Sequence, residues 1–294
     1  MNFKKPKFWD LSKPNFLSYL FFPLTFFIRI NNYLLNQANP RKNKLIKTIC
    51  IGNIYLGGTG KTPTVIKVYD IAKRLNFNVV SAKKFYKNQK DEQIILEEKT
   101  KFVSSKTRTE ILDLAIKAKK ELIIFDDGLQ DKQIFYDIKF VCFDANTWIG
   151  NGQLIPSGPL REKIDSLKKY DAVFIKNNNN IKSEKIFKLI RSIHPSIKIY
   201  FSSYKVLNLD NFDLTKKYLL FCGIGNPNNF KKLLIKNKFI IDYEMIFPDH
   251  CNYKNTDIHN IIKKAENLNL KIITTKKDYV KISDEFKDKI SFLD

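Results

Sequence analysis

Between an apolar run, Lys47 to Ile51, and a segment of helical spacing, Pro63 to Leu75, the chain carries Gly57-Gly58-Thr59-Gly60-Lys61-Thr62. A glycine-rich turn joining a strand to a helix leaves few folds open. Its backbone N–H groups wrap a polyphosphate at the positive helix N-terminus, a lysine reaches the terminal phosphates, and a hydroxyl can hold Mg2+. The stretch Tyr55, Leu56, Gly57, Gly58, Thr59, Gly60, Lys61, Thr62 is therefore the expected nucleoside triphosphate site. In the pattern G-x-x-x-x-G-K-[ST] the first glycine would stand at position 55, which is Tyr55. The match thus lies in the second half of the motif, with an extra Gly-Gly.

The segments that follow alternate in period. Thr62 to Leu75 and Arg108 to Lys120 read as helices, Asn78 to Ala82 and Glu121 to Phe125 as strands. Further strands are expected at Ile138 to Phe143, Ala172 to Ile175, Ile197 to Phe201, Tyr218 to Cys222 and Lys271 to Ile273, with helices at Glu184 to Ile193, Asn228 to Lys236 and Thr256 to Leu268. Such alternation specifies a parallel sheet with crossover helices. The expected class is α/β: a P-loop NTPase-like parallel sheet with helices on both faces, a second smaller α/β domain, and an N-terminal hydrophobic interfacial helix. The turn-prone run Asn177 to Asn180 sets the junction. The expected parts are an N-terminal segment (1–40), a P-loop domain (41–176) and a C-terminal α/β domain (177–294) that completes the active-site cleft.

The strand ending at Phe125 delivers Asp126-Asp127-Gly128. A carboxylate at the C-terminal end of a buried strand is where a P-loop fold holds its metal, so Thr62, Asp126 and Asp127 are the expected Mg2+ residues. A formal charge of +22 points to an anionic partner, a membrane surface or a phosphorylated substrate. Lysine spread over every solvated face accounts for part of it. No arginine-rich arm or aromatic RNA-binding signature is present, so nucleic acid is not the expected partner. Cys50, Cys142, Cys222 and Cys251 stand alone, the first three in apolar runs, and read as buried small hydrophobes of a reducing compartment. His194 and His259 read as structural or solvated.

Phe16 to Leu35 is dense in Phe, Tyr and Leu, but Ser18, Pro23, Thr25, Arg29, Asn31 and Asn32 interrupt it. Its uninterrupted stretches fall short of the roughly 20 apolar residues that cross a bilayer, so it is expected to lie in the interface. Lys4, Lys5, Lys7 and Lys13 before it, with Arg29, Arg41, Lys42 and Lys44, suit an anionic leaflet, and Trp9 and Tyr33 the headgroup region. A cleaved signal peptide would export the phosphate loop away from ATP, and no small-residue cleavage site follows. The other reading is a hydrophobic helix packed on the protein's own core.

Several blocks together resemble one family. Gly52-Asn53-Ile54-Tyr55-Leu56-Gly57-Gly58-Thr59-Gly60-Lys61-Thr62-Pro63, Asp126-Asp127-Gly128-Leu129-Gln130 and the run Asn151 to Glu162 (NGQLIPSGPLRE) are similar to the signatures of the tetraacyldisaccharide 4'-kinases. Gly223-Ile224-Gly225-Asn226-Pro227, Phe247-Pro248-Asp249-His250 and Thr274-Thr275-Lys276-Lys277-Asp278 follow in the same order. The resemblance implies a kinase at the cytoplasmic face of the bacterial inner membrane, peripheral or monotopic. It would use ATP and Mg2+ to phosphorylate the 4'-hydroxyl of an acylated disaccharide phosphate, tetraacyldisaccharide 1-phosphate, forming lipid IVA in lipid A synthesis. Its expected partners are that substrate and the anionic inner-membrane surface, with no obligate protein partner. By matching motifs, Lys61 and Thr62 bind ATP and Mg2+, Asp126 and Asp127 sit at the metal, and Asp91 is the catalytic acidic residue with His250 as its partner. A carboxylate can accept the attacking hydroxyl's proton, and a histidine beside it can orient it. Arg161, in the loop after Gly158-Pro159-Leu160, is expected to contact ATP phosphates or the acceptor.

Two positions depart from the family pattern. Where the family shows Ser-Arg-Gly-Tyr, this chain has Ser81-Ala82-Lys83-Lys84-Phe85-Tyr86, with Lys83 or Lys84 left to supply the charge. The position after Gln130, often histidine, is Asp131. Two other classes compete: a membrane-associated P-loop ATPase switch, which places a lysine before the Gly-Gly where this chain has Leu56, and a nonenzymatic basic protein that binds nucleic acid or anionic lipid.

Overall fold

The computed structural model describes residues 5–86, 90–177 and 184–294, and these fall into two compact units. Lys4 and most of the asparagine run, Asn178 to Asn180, lie outside the described residues.

The larger unit opens with α1 (Phe16–Phe21) and α2 (Thr25–Gln37), joined by a tight turn, Phe22–Leu24, that contains Pro23. It continues through β1 (Lys47–Gly52), α3 (Lys61–Arg74), β2 (Val79–Lys84), the end of α4 (Lys90–Lys99) from Leu96 onward, β3 (Phe102–Ser105), α5 (Arg108–Lys117) and β4 (Leu122–Asp126). After them come β5 (Ile138–Asp144), β6 (Ala172–Lys176), α6 (Glu184–Ile193) and β7 (Lys198–Ser202). The seven strands form one sheet in the order β3-β2-β4-β1-β5-β6-β7, every neighbouring pair parallel. Successive side chains of a strand point to opposite faces. Ile124 of β4 accordingly joins Val65, Tyr69 and Ala72 of α3, while Ile123 and Phe125 join Ile111, Leu112 and Ala115 of α5. Both faces are covered, as the α/β pattern requires.

Three features of the larger unit differ from the sequence reading. α4 and β3 were not expected, because charges at both ends of Lys90–Lys99 mask the short apolar stretch Ile94-Ile95-Leu96. The large sheet also does not stop at residue 176. α6 buries Ile186 and Ile190 in the core beneath β5 and β6, and β7 pairs with β6, so one more crossover carries this unit to residue 203. Finally, α1 and α2 belong to this unit and are not a separate segment. Two of their polar residues face inward, Ser18 and Thr25 at 1% and 2% exposure, while Phe16 and Phe27 are 79% and 68% exposed. Asn151 Nδ2 donates to Ser18 Oγ at 2.9 Å and Ser157 Oγ donates to the Ser18 carbonyl at 2.5 Å, so the Asn151 to Glu162 block anchors α1 by hydrogen bonds. Most of the apolar side chains are exposed, and Ile28 packs against the buried cluster of Tyr55, Leu154 and Leu160. Among the described residues no helix is long and apolar enough to cross a membrane.

The smaller unit holds residues 90–95, the start of α4, together with 204–294. Its elements are β8 (Lys217–Cys222), α7 (Pro227–Lys236), β9 (Ile240–Ile246), α8 (Asn255–Asn267), β10 (Lys271–Thr275), α9 (Lys276–Tyr279), α10 (Asp284–Lys287) and β11 (Ser291–Leu293). The strands run parallel in the order β11-β10-β8-β9. Ile258, Ile261, Ile262 and Ala265 fall on one stripe of α8 and pack with Leu219 and Phe221 of β8.

Candidate active site

β1 feeds the chain into the glycine-rich loop, where Asn53 Nδ2 donates to the carbonyls of Tyr55 and Gly57 at 2.6 and 3.1 Å. Gly60 takes φ +84° as it caps α3, a left-handed conformation that costs glycine little. An added Cβ on Gly58 would meet nothing within 4 Å, and the Thr59 hydroxyl is buried with no protein partner. Open space with an orphaned donor at a helix N-terminus is what a polyphosphate needs. Lys61 is the first residue of α3, its ammonium 3.9 Å from Asp127. Tyr55 departs from the expected set in its side chain: the phenol is buried, donates to Asp10 and accepts from Lys5 at 3.0 Å. The tyrosine in the position of the missing glycine therefore ties the N-terminal arm to the loop.

β4 ends on Asp126, fully buried, whose Oδ2 accepts from the Thr62 hydroxyl at 2.9 Å and lies 3.2 Å from Lys83 Nζ. Lys83, at 1% exposure, is thus the cation of the departed Arg-Gly segment that reaches the site. Asp127 adopts φ +63°, its N–H held by the Ile51 carbonyl at 2.9 Å, and its carboxylate faces Arg161 at 3.2 Å. Burial works against ionisation of Asp127, but Lys61, Arg161 and Lys83 together hold its carboxyl well below the usual carboxylate range. Thr62, Asp126 and Asp127 form an oxygen-only donor set, which fits Mg2+: that ion takes one or two carboxylates and completes its shell with nucleotide phosphates and water.

Arg161 is positioned from three sides. Its N–H donates to the Ile54 carbonyl at 2.7 Å, its carbonyl accepts from Asn32 of α2 at 2.8 Å, and its guanidinium also meets Gln130 Oε1 at 3.4 Å. Gln130 is fixed by donating to Glu162 at 2.8 Å. Beside them opens a cleft of about 520 Å³ lined by Asp127, Gln130, the cations Arg108, Lys132 and Arg161, and Leu35 of α2. Arg108 is buried, donates to the Asp127 carbonyl at 2.8 Å and pairs with Asp131. Asp131, at the family's histidine position, therefore serves as a partner for this arginine.

In the smaller unit, Asp91 lies in the first turn of α4 at 2% exposure. His250 follows β9 and takes φ +56°. Its N–H donates to the Gly223 carbonyl at 3.1 Å, and a Cβ on Gly223 would stand 2.9 Å from the Pro248 carbonyl, so this close approach needs glycine. The imidazole Nδ1 sits 3.2 Å from each Asp91 oxygen. Burial tends to raise the Asp91 carboxyl's pKa, and the hydrogen bond from His250 with the charge of Lys277 outweighs it, leaving Asp91 below its ordinary value. The expected site residues thus form two groups, one per unit: Lys61, Thr62, Asp126, Asp127 and Arg161, and the pair Asp91 and His250. Sequence reasoning missed Arg108 and Lys277. Lys277 belongs to a block whose order was noted without a role, whereas nothing in the sequence marked Arg108, which opens an ordinary helix. The four cysteines are buried and free, and His259 stacks edge-on against Phe286.

The family model for the tetraacyldisaccharide-1-P 4'-kinases, LpxK, matches residues 16–293. The chain belongs to this family. The tetraacyldisaccharide 4'-kinase of Pelagibacter ubique is 44% identical over 294 residues, spanning 100% of this chain and 93% of that one. The tetraacyldisaccharide 4'-kinase of Rickettsia akari is 33% identical, spanning 95% and 88%. A crystal structure of LpxK from Aquifex aeolicus in complex with ATP superposes with TM-score 0.68 at 20% identity, covering 95% of this chain and 93% of that one, and shares the fold. In this member of the 4'-kinase family, Tyr55, Lys83 and Asp131 all have defined partners in the larger unit.

Proposed function

We propose that the chain transfers the γ-phosphate of ATP to the 4'-hydroxyl of tetraacyldisaccharide 1-phosphate. The observation that carries this reading is the coexistence of a phosphate loop, with its Thr62–Asp126 pair, and a buried carboxylate, Asp91, held by His250. Phosphoryl transfer asks a protein to position groups and neutralise charge more than to form bonds. Lys61 and the loop N–H groups would bind the phosphates, and Thr62, Asp126 and Asp127 would hold Mg2+. The ion would supply neutralisation of the nucleotide's phosphate charge. Asp91 accepts the proton of the attacking hydroxyl, and its low pKa keeps it ionised at neutral pH. The cationic cleft at Arg108, Lys132 and Arg161 suits a phosphorylated sugar, and the apolar face of α1 and α2 beside it suits acyl chains and an anionic membrane surface, which fits a peripheral enzyme.

Acceptor dependence separates this reading from a membrane-associated ATPase switch. ATP consumption by the purified chain should require the acylated disaccharide phosphate and match product one for one. Vigorous turnover without acceptor would favour the switch.

A further inference from the structure

His250 has two ring nitrogens, and the smaller unit treats them differently. Nδ1 lies 3.2 Å from both oxygens of Asp91. Nε2 lies 3.4 Å from the ammonium of Lys277. An ammonium has three donors and no acceptor, so it can meet only a bare ring nitrogen; an N–H at Nε2 would point a positive hydrogen at a positive charge. We infer that Lys277 is a positioning residue that fixes His250 as the tautomer with its proton on Nδ1, donated to Asp91, and Nε2 accepting from Lys277. Which ring nitrogen carries the proton is set by the partner of the other one. Asp91 is then oriented by the Nδ1–H and keeps its remaining lone pairs for the acceptor hydroxyl. The inference rests on the kinase reading for its purpose, not for its geometry.

Lys277 is itself built into place. Thr275 caps α9 by accepting from the Asp278 N–H. The buried Asp278 carboxylate in turn takes hydrogen bonds from Tyr253 at 2.9 Å, Thr275 at 2.7 Å and Lys281 at 2.8 Å. That network fixes the short helix and directs Lys281 mainly to Asp278, leaving it 3.9 Å from Asp91. Lys277 instead meets Glu92 at 3.3 Å, Asp249 at 3.5 Å and Asp91 at 3.7 Å. Burial opposes its charge, but these carboxylates outweigh it and keep the lysine protonated well past its ordinary range. The charged groups facing the imidazole are Asp91 at Nδ1 and, at Nε2, Lys277 at 3.4 Å and the Asp249 carboxylate at 3.9 Å; Glu92 and Lys281 reach it through Lys277 and Asp91, and of the two lysines Lys277 is the one at hydrogen-bond distance from the ring.

The test is a long-range 1H–15N spectrum of the full chain labelled at its three histidines, with His250 assigned by His250→Gln. The wild type should show His250 protonated at Nδ1 and bare at Nε2 near neutral pH. Lys277→Met should let the proton reach Nε2, and should lower kcat by about 10-fold or more, up to the roughly 10²–10⁴-fold lost with the proton-transfer group itself, while KM for ATP holds. Lys277→Arg should restore the tautomer. A wild-type ring protonated at Nε2 or at both nitrogens, or a tautomer unchanged in Lys277→Met, overturns the inference. If Lys277→Met does not fold, the wild-type and Lys277→Arg spectra still decide. The spectrum needs no turnover, so a failed kinase reading would leave its outcome separately visible.

Discussion

Replacing Lys83 by methionine is expected to be among the most damaging single changes to the larger unit. The Lys83 and Asp126 side chains are 2% and 0% exposed, with 3.2 Å between ammonium and carboxylate. Methionine keeps most of the volume and leaves a carboxylate in the sheet without its nearest cation. Removing one partner of a buried pair costs about 3–5 kcal/mol, a large share of the ~5–15 kcal/mol that stabilises a domain. With a urea slope of ~2 kcal/mol/M, the midpoint should fall by about 1.5–2.5 M. Both tryptophans, Trp9 and Trp148, lie in the larger unit, so their fluorescence follows its unfolding alone. Lys83→Met combined with Asp126→Asn removes the stranded charge and should recover much of the loss, although it disables the metal site. A single-variant shift under about 0.5 M, or a double variant no better than the single, would refute the reasoning that the pair is a coupled buried unit.

Lys61→Ala should abolish phosphoryl transfer while the folded larger unit survives, because the lysine sits at a part-exposed helix start with one distant ion-pair contact at 3.9 Å; circular dichroism and the transfer assay check this together. Asp91→Asn and His250→Ala should each lower turnover by about 10²–10⁴-fold, and the double variant should be little worse than the worse single, as for residues acting as one unit; additive losses would place the base elsewhere. Because Asp91 is depressed in the folded state, its contribution to stability is present above the ordinary carboxylate value of about 3.9 and is lost as pH falls through its lower folded value. Asp91→Asn should accordingly flatten the acid side of the stability profile. Serine at Phe22, Phe26 and Phe27 should weaken vesicle binding at every salt concentration. Neutralising Lys5 and Lys7 should weaken it mainly on anionic lipid at low salt, where the Debye length is longer; vesicle co-sedimentation across salt separates the two.

The elements legible in the sequence were those with strong period. The phosphate loop and α3 stood out because a glycine run between an apolar strand and an amphipathic helix has few other uses, and β4 because Leu122 to Phe125 is apolar without interruption. α4 was not legible, since its buried Asp91 looks like any surface acid until the fold buries it beside His250. β9 was missed because its side chains are largely exposed and break the apolar signal. The reversed polarity of α1, with Ser18 inward and Phe16 outward, could not be read either. It depends on Asn151 and Ser157, more than 130 residues away. Of the candidate site, the local motifs were visible and Lys83 stood as one of two candidates for the charge, whereas Arg108 and Lys277 act through partners distant in sequence.

The most direct measurement supplies the purified chain with γ-labelled ATP, Mg2+ and tetraacyldisaccharide 1-phosphate, and then locates the label. The account predicts one labelled phosphate on the 4'-oxygen of the acceptor, formed by the wild type and absent with Lys61→Ala. Label released only as inorganic phosphate, or attached at another hydroxyl, would contradict it.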